Sequence, residues 1–174
     1  VSPTAQVDPG NCPNSFVMVR TWTFDDGCGN VSSVSQTITV NDDTAPVPPE
    51  EPEDLFFQCA ADVPAPMPLT AIDNCDGPIT VGPSAVLTPG NCDNQFTMVR
   101  TWTFTDACNN SSSVSQTITV ADTIAPIITC PTSISVTADT GQPNAVVTIN
   151  LPTVSDNCDV DVDYTNDYNN SDNS

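Results

Sequence analysis

Histidine and lysine are both absent from the 174 residues, and arginine occurs only twice, as Arg20 and Arg100. Without imidazoles or amines the chain has no general base poised near pH 7, no Schiff-base nucleophile and no imidazole metal ligand. Lys–Asn isopeptide cross-links are excluded with them. Two cations against 22 acidic residues leave a net charge of −20, a surface that repels nucleic acid and anionic membranes and attracts cations. Also missing is any run of about 18 apolar residues, so no membrane insertion is expected, and no segment shows a 3.6-residue amphipathic period. Val1 to Gly10 lacks a basic start and an apolar run, which places any export signal outside these residues. No C-x-x-C pair occurs. The eight cysteines, in an acidic chain rich in Thr, Ser and Pro, therefore read as disulfides of an oxidising, extracellular setting rather than as zinc ligands.

What is present is a repeat. Val1–Val40 laid over Val81–Val120 gives 28 identities in 40 positions without a gap, a period of 80 residues. Both copies carry PGNC, MVRTWTF and SSVSQTITV, and the identity extends to surface positions, as expected of a duplication within a larger array. One complete unit is expected at 44–122, between the junctions Asp43-Thr44-Ala45-Pro46 and Asp122-Thr123-Ile124-Ala125-Pro126. Residues 1–43 then form the C-terminal half of a preceding unit, and 123–174 the N-terminal part of a following one, with Ser133–Ala138 strand-like.

In Phe96–Phe104 one face presents Phe96, Met98, Arg100, Trp102 and Phe104 while the other is mostly Thr, the alternation of a half-buried strand. A polar turn at 105–110 and renewed alternation over Val114–Val120 make a hairpin. Seventeen prolines at strand edges and in linkers oppose helix. The fold class expected is all-β: tandem Ig-like β-sandwiches of about 80 residues, each stapled by disulfides.

Cys59, Cys75, Cys92 and Cys108 admit three connectivities. Cys92 precedes and Cys108 follows a strand about 30 Å long, far beyond the Cα separation of about 4.4 to 6.8 Å that a disulfide tolerates. In an Ig-like order Cys75 falls at the end occupied by Cys108, and Cys59 at the end occupied by Cys92. The expected bonds are Cys75–Cys108 and Cys59–Cys92, with Cys130–Cys158 in the third unit. Cys12 and Cys28 are expected to pair with residues preceding Val1.

Ala71-Ile-Asp-Asn-Cys-Asp-Gly77, Arg100-Thr-Trp-Thr-Phe-Thr-Asp-Ala-Cys-Asn109 and Ser113–Val120 resemble repeats of very large surface adhesins of gliding Bacteroidetes. Ile128-Thr-Cys-Pro131 and Ser155-Asp-Asn-Cys158 resemble the HYR (hyalin-repeat) module, itself Ig-like. The resemblance implies secretion to the cell surface and the shaft of an adhesin filament serving attachment or gliding. Its partners would be neighbouring repeats and other copies in a filament, with surface polysaccharide or the substratum engaged by other regions. Alternatives are a structural fibre or surface-layer component, and the stalk of a secreted hydrolase. Within the repeat itself no cleft-forming insertion occurs, so no enzymatic site is expected.

Acidic clusters are the candidate sites. Asp42 and Asp43 in the linker, with Asp73, Asp76 and Asp106, converge on one expected junction, where carboxylates and carbonyls would supply the six to eight oxygens that calcium takes. Asp122, Asp156 and Asp159 would form the equivalent junction below. No cofactor is required by the reading; calcium is the candidate one. Asp43-Thr44-Ala45 and Asp122-Thr123-Ile124 match the O-glycosylation acceptor pattern that the resemblance makes relevant, at Thr44 and Thr123. Trp22 and Trp102 read as core anchors, and Arg20 and Arg100 as cations stacked on an aromatic or paired with an acid.

Overall fold

The computed structural model describes residues 2–138, 140, 141, 145, 147, 148 and 150–158. The alternating segments are strands: β1 (Thr4–Pro9), β2 (Phe16–Asp25), β3 (Val31–Val40), β4 (Leu55–Phe57), β5 (Leu69–Asp73), β6 (Gly77–Val81), β7 (Ser84–Pro89), β8 (Gln95–Thr105), β9 (Ser111–Ala121), β10 (Ile127–Thr129) and β11 (Thr153–Ser155). A 3-10 turn at Ala60–Asp62 is the one helical element among the described residues. Sheets run β1-β2-β3, β4-β9-β8-β7, β5-β6 and β10-β11, the all-β class that the alternation predicts. Ser133–Ala138 is not a strand, because no partner segment among the described residues takes up its backbone groups.

Two compact units result. The first holds the described residues up to Leu55, with Pro64–Thr88 and Thr97–Ile118. Phe56–Val63, Pro89–Phe96 and the described residues from Thr119 onward make the second. The second is small in regular structure, with β10 antiparallel to β11 in the register Ile127↔Ser155.

Within the first unit, the alternation of β8 buries Arg100, Trp102 and Phe104 and leaves Thr103 and Thr105 exposed. Trp102 and Phe104 pack on Ala71 of β5, flanked by Leu69, Val81 and Val114. Two polar groups on this buried face need partners, and a proline-rich stretch supplies them. Arg100 Nη2 donates to the Pro64 carbonyl at 2.6 Å and Trp102 Nε1 to that of Met67 at 3.0 Å. The sequence reading gives Arg100 an aromatic or acidic neighbour; the structure gives it a carbonyl. Burial of its charge is tolerable only with such a bond.

Residues ahead of β4 run beside β9 and cap its amides with side chains. Glu51 Oε1 accepts from Ser115 N at 3.1 Å and Asp54 Oδ1 from Thr117 N at 2.6 Å, while Gln116 Nε2 donates to the Glu53 carbonyl at 2.8 Å. An edge occupied in this way is no template for a foreign strand.

The repeat builds the same three-strand meander twice, as β1-β2-β3 and as β7-β8-β9. Burial does not repeat with it. Phe24 is 48 % exposed, whereas its equivalent Phe104 is 0 % exposed beneath β5. Trp22 is half-buried and Trp102 buried. Truncating Trp102 to Ala should therefore cost about 3 to 5 kcal/mol of stability. In urea unfolding Trp22→Ala should cost clearly less, and equal losses would contradict this core assignment.

Candidate functional site

Three loops of the first unit meet around a pair of carboxylates: the linker Asn41-Asp42-Asp43, the β5–β6 turn Asp73-Asn74-Cys75-Asp76 and the β8–β9 loop Asp106–Asn110. An aspartate (Asp42, Asp73 or Asp106) turns the chain in each, because its side chain accepts from amides two or more residues on. Asp73 Oδ1 accepts from Cys75 N at 2.8 Å and Asp76 N at 2.9 Å. Gly77, at φ 78°, closes that turn in the left-handed conformation glycine tolerates. Asp42 Oδ1 accepts from Thr44 N at 3.3 Å, and the Asp42 carbonyl accepts from Asn110 Nδ2 at 3.1 Å.

The five aspartates expected here divide by what their oxygens do. Asp76 is spent as a clamp: Oδ1 accepts from Asn14 Nδ2 at 2.8 Å and Oδ2 from Ala107 N at 2.6 Å. Asp106 is spent on its own loop, with Oδ1 2.8 Å from both Cys108 N and Asn110 N, and Oδ2 2.8 Å from Asn110 Nδ2. Asp43 is exposed. Asp42 and Asp73 are 6 % and 3 % exposed, and the Oδ2 of each is buried without a hydrogen-bond partner. A carboxylate oxygen of Asp42, one of Asp73 and the Cys75 sulfur lie within 4.8 Å of one another. Desolvation of the sulfur first, then the adjacent Asp42 carboxylate and the charges of Asp73 and Asp76, push the Cys75 thiol pKa up. A thiol is a weak donor, and its lean on Asp42 does not meet the geometry of a hydrogen bond to either Oδ2.

The second unit repeats the constellation. Asp122, Asp156 and Cys158 again bring ligand atoms within 4.8 Å of one another, half-buried. Asp122 Oδ1 accepts from Ile124 N at 3.0 Å and Asp156 Oδ1 from Cys158 N at 3.0 Å, the same turns as at Asp42 and Asp73. Asp159 lies outside the described residues. Thr44 and Thr123 are exposed, and the Thr123 hydroxyl donates to Gln58 Oε1 at 3.2 Å. Arg20 is exposed on β2.

Thiol pairing departs from the sequence reading. Cys12 bonds Cys108, and Cys59 bonds Cys158; Cys28, Cys75, Cys92 and Cys130 are free and exposed. The expected Cys75–Cys108, Cys59–Cys92 and Cys130–Cys158 bonds are not formed, and Cys12 finds its partner within the chain. Separation of Cys92 from Cys108 holds; the departure comes from a neighbour. Asn14 and Ala107 share the Asp76 carboxylate, so the turn carrying Cys12 lies against the loop carrying Cys108. A preceding repeat thus delivers a third thiol to an end where the sequence reading counts two.

Residues 47–120 match the family model of the HYR-like domain with 4 cysteines. The HYR-like segment contains Cys59, Cys75, Cys92 and Cys108 and lies within the repeat expected at 44–122, in keeping with HYR-like, Ig-like repeats. The match describes a domain; it says nothing of gliding or of source. No curated protein and no solved structure matches the chain.

Two expectations follow from the site. Peptide mapping without reduction should recover Cys12 joined to Cys108 and Cys59 to Cys158, with Cys75 and Cys92 alkylated; a Cys75–Cys108 peptide would overturn the pairing. Acid should loosen the β8–β9 loop. Burial alone would raise the Asp106 pKa, but the Asn110 side chain and the amides of Asn110, Cys108 and Asn109 hold it below its ordinary value. A group depressed in the folded state contributes stability above its unfolded pKa of about 3.9, lost as pH falls through the folded value. Amide exchange at Cys108 and Asn110 should accelerate in that window, and Asp106→Asn should flatten the dependence.

Proposed function

We propose that this chain is part of the shaft of a cell-surface adhesin filament, and that it carries no chemistry of its own. The observation that carries the reading is the covalent link from one repeat copy to the next, Cys12–Cys108, across a separation of 96 residues. A disulfide closing so long a loop contributes about 4 to 5 kcal/mol in the chain-entropy model, comparable to much of a small domain's net stability. A shaft needs such continuity, because tension that peels one repeat open is passed on to the next. HYR-like domains are repeat domains of cell-surface proteins, which supports an extracellular setting. Among the described residues no helix is long and apolar enough to cross a membrane. The net charge of −20 keeps neighbouring shafts apart in solution.

The test uses Fab fragments against residues 47–120 on intact cells of the source organism. Expected are surface labelling that protease shaving removes, and loss of attachment or of surface movement when the repeats are deleted. Unchanged attachment in the deletion strain, with loss of a secreted hydrolytic activity instead, would replace the shaft by an enzyme stalk.

A further inference from the structure

We propose that Asp42 and Asp73 together bind a calcium ion. Their buried Oδ2 atoms carry the site. Each of Asp42 and Asp73 spends Oδ1 on a turn and keeps Oδ2 buried with no partner. Two buried carboxylates whose oxygens approach within 4.8 Å repel each other, and a cation between them removes that repulsion. The chain has almost none to offer: it lacks Lys and His, Arg100 is bound to the Pro64 carbonyl, and Arg20 is exposed on β2. The cation has to come from solution.

The donor set decides which one. The two unpaired donors, Asp42 Oδ2 and Asp73 Oδ2, are carboxylate oxygens, a hard set suited to calcium rather than zinc. Calcium takes six to eight oxygens in flexible geometry, whereas magnesium demands a near-ideal octahedron and gives up its water reluctantly. Exposed Cys75 leaves one side open, where water would complete the coordination. Calcium binding by Asp42 and Asp73 does not depend on the adhesin reading.

Calorimetric titration of the oxidised, chelator-treated chain with CaCl₂ should show one equivalent bound, at a dissociation constant in the range of about 10⁻⁵ to 10⁻³ M. Asp42→Asn should abolish that binding, and Asp43→Asn should leave it unchanged. Melting gives a readout that a merely structural Asp42 would not. In EDTA Asp42→Asn should melt above the wild type, because a buried charge is relieved. In about 20 mM Ca²⁺, well above the upper end of that range, the order should reverse. No calcium-dependent heat or melting shift in the wild type, equal effects of Asp43→Asn and Asp42→Asn, or binding of Zn²⁺ but not Ca²⁺ would each overturn the assignment.

Discussion

Donors without acceptors meet acceptors without donors on the buried face of β8, and the first unit depends on that match. Guanidinium and indole can only donate. Pro64, Pro66 and Pro68 have no amide hydrogen, so the stretch they occupy cannot pair as a strand interior, yet its carbonyls remain available. Arg100 takes the one at Pro64 and Trp102 the one at Met67. The irregular segment is thereby fixed over the apolar stripe of Trp102 and Phe104, and β5, which follows directly, arrives in position to lay Ala71 on the same stripe.

Strand positions and the repeat were legible because both are written in short-range patterns. The period of two over Phe96–Phe104 and the recurrence of MVRTWTF need no knowledge of the partner sheet. Burial needs that knowledge, and so the exposed Phe24 and the buried Phe104, identical in local sequence, could not be told apart beforehand. Arg100 was misread for a related reason: its partner is a backbone group, and backbone acceptors carry no signature in composition. Alternating prolines upstream were the available hint.

At the acidic junction the membership of the cluster was readable and its division of labour was not. All five aspartates sit in turn-forming contexts, but whether an oxygen is already spent depends on where Asn14, Ala107 and Asn110 place their N–H groups. The cysteines failed on the same point. End-of-strand geometry separated Cys92 from Cys108 correctly, whereas the arrival of Cys12 beside Cys108 depends on a side-chain clamp, Asp76, that touches two repeat copies at once.

The two bridges interlace along the chain, since Cys59 falls inside the loop closed by Cys12 and Cys108, and Cys158 falls outside it. Sever the backbone at any one peptide bond between Cys12 and Cys158, and at least one sulfur–sulfur link still joins the fragments. A fibre built on this weave would survive isolated nicks by hostile peptidases without losing its outer end, and would come apart only after several cuts or chemical reduction.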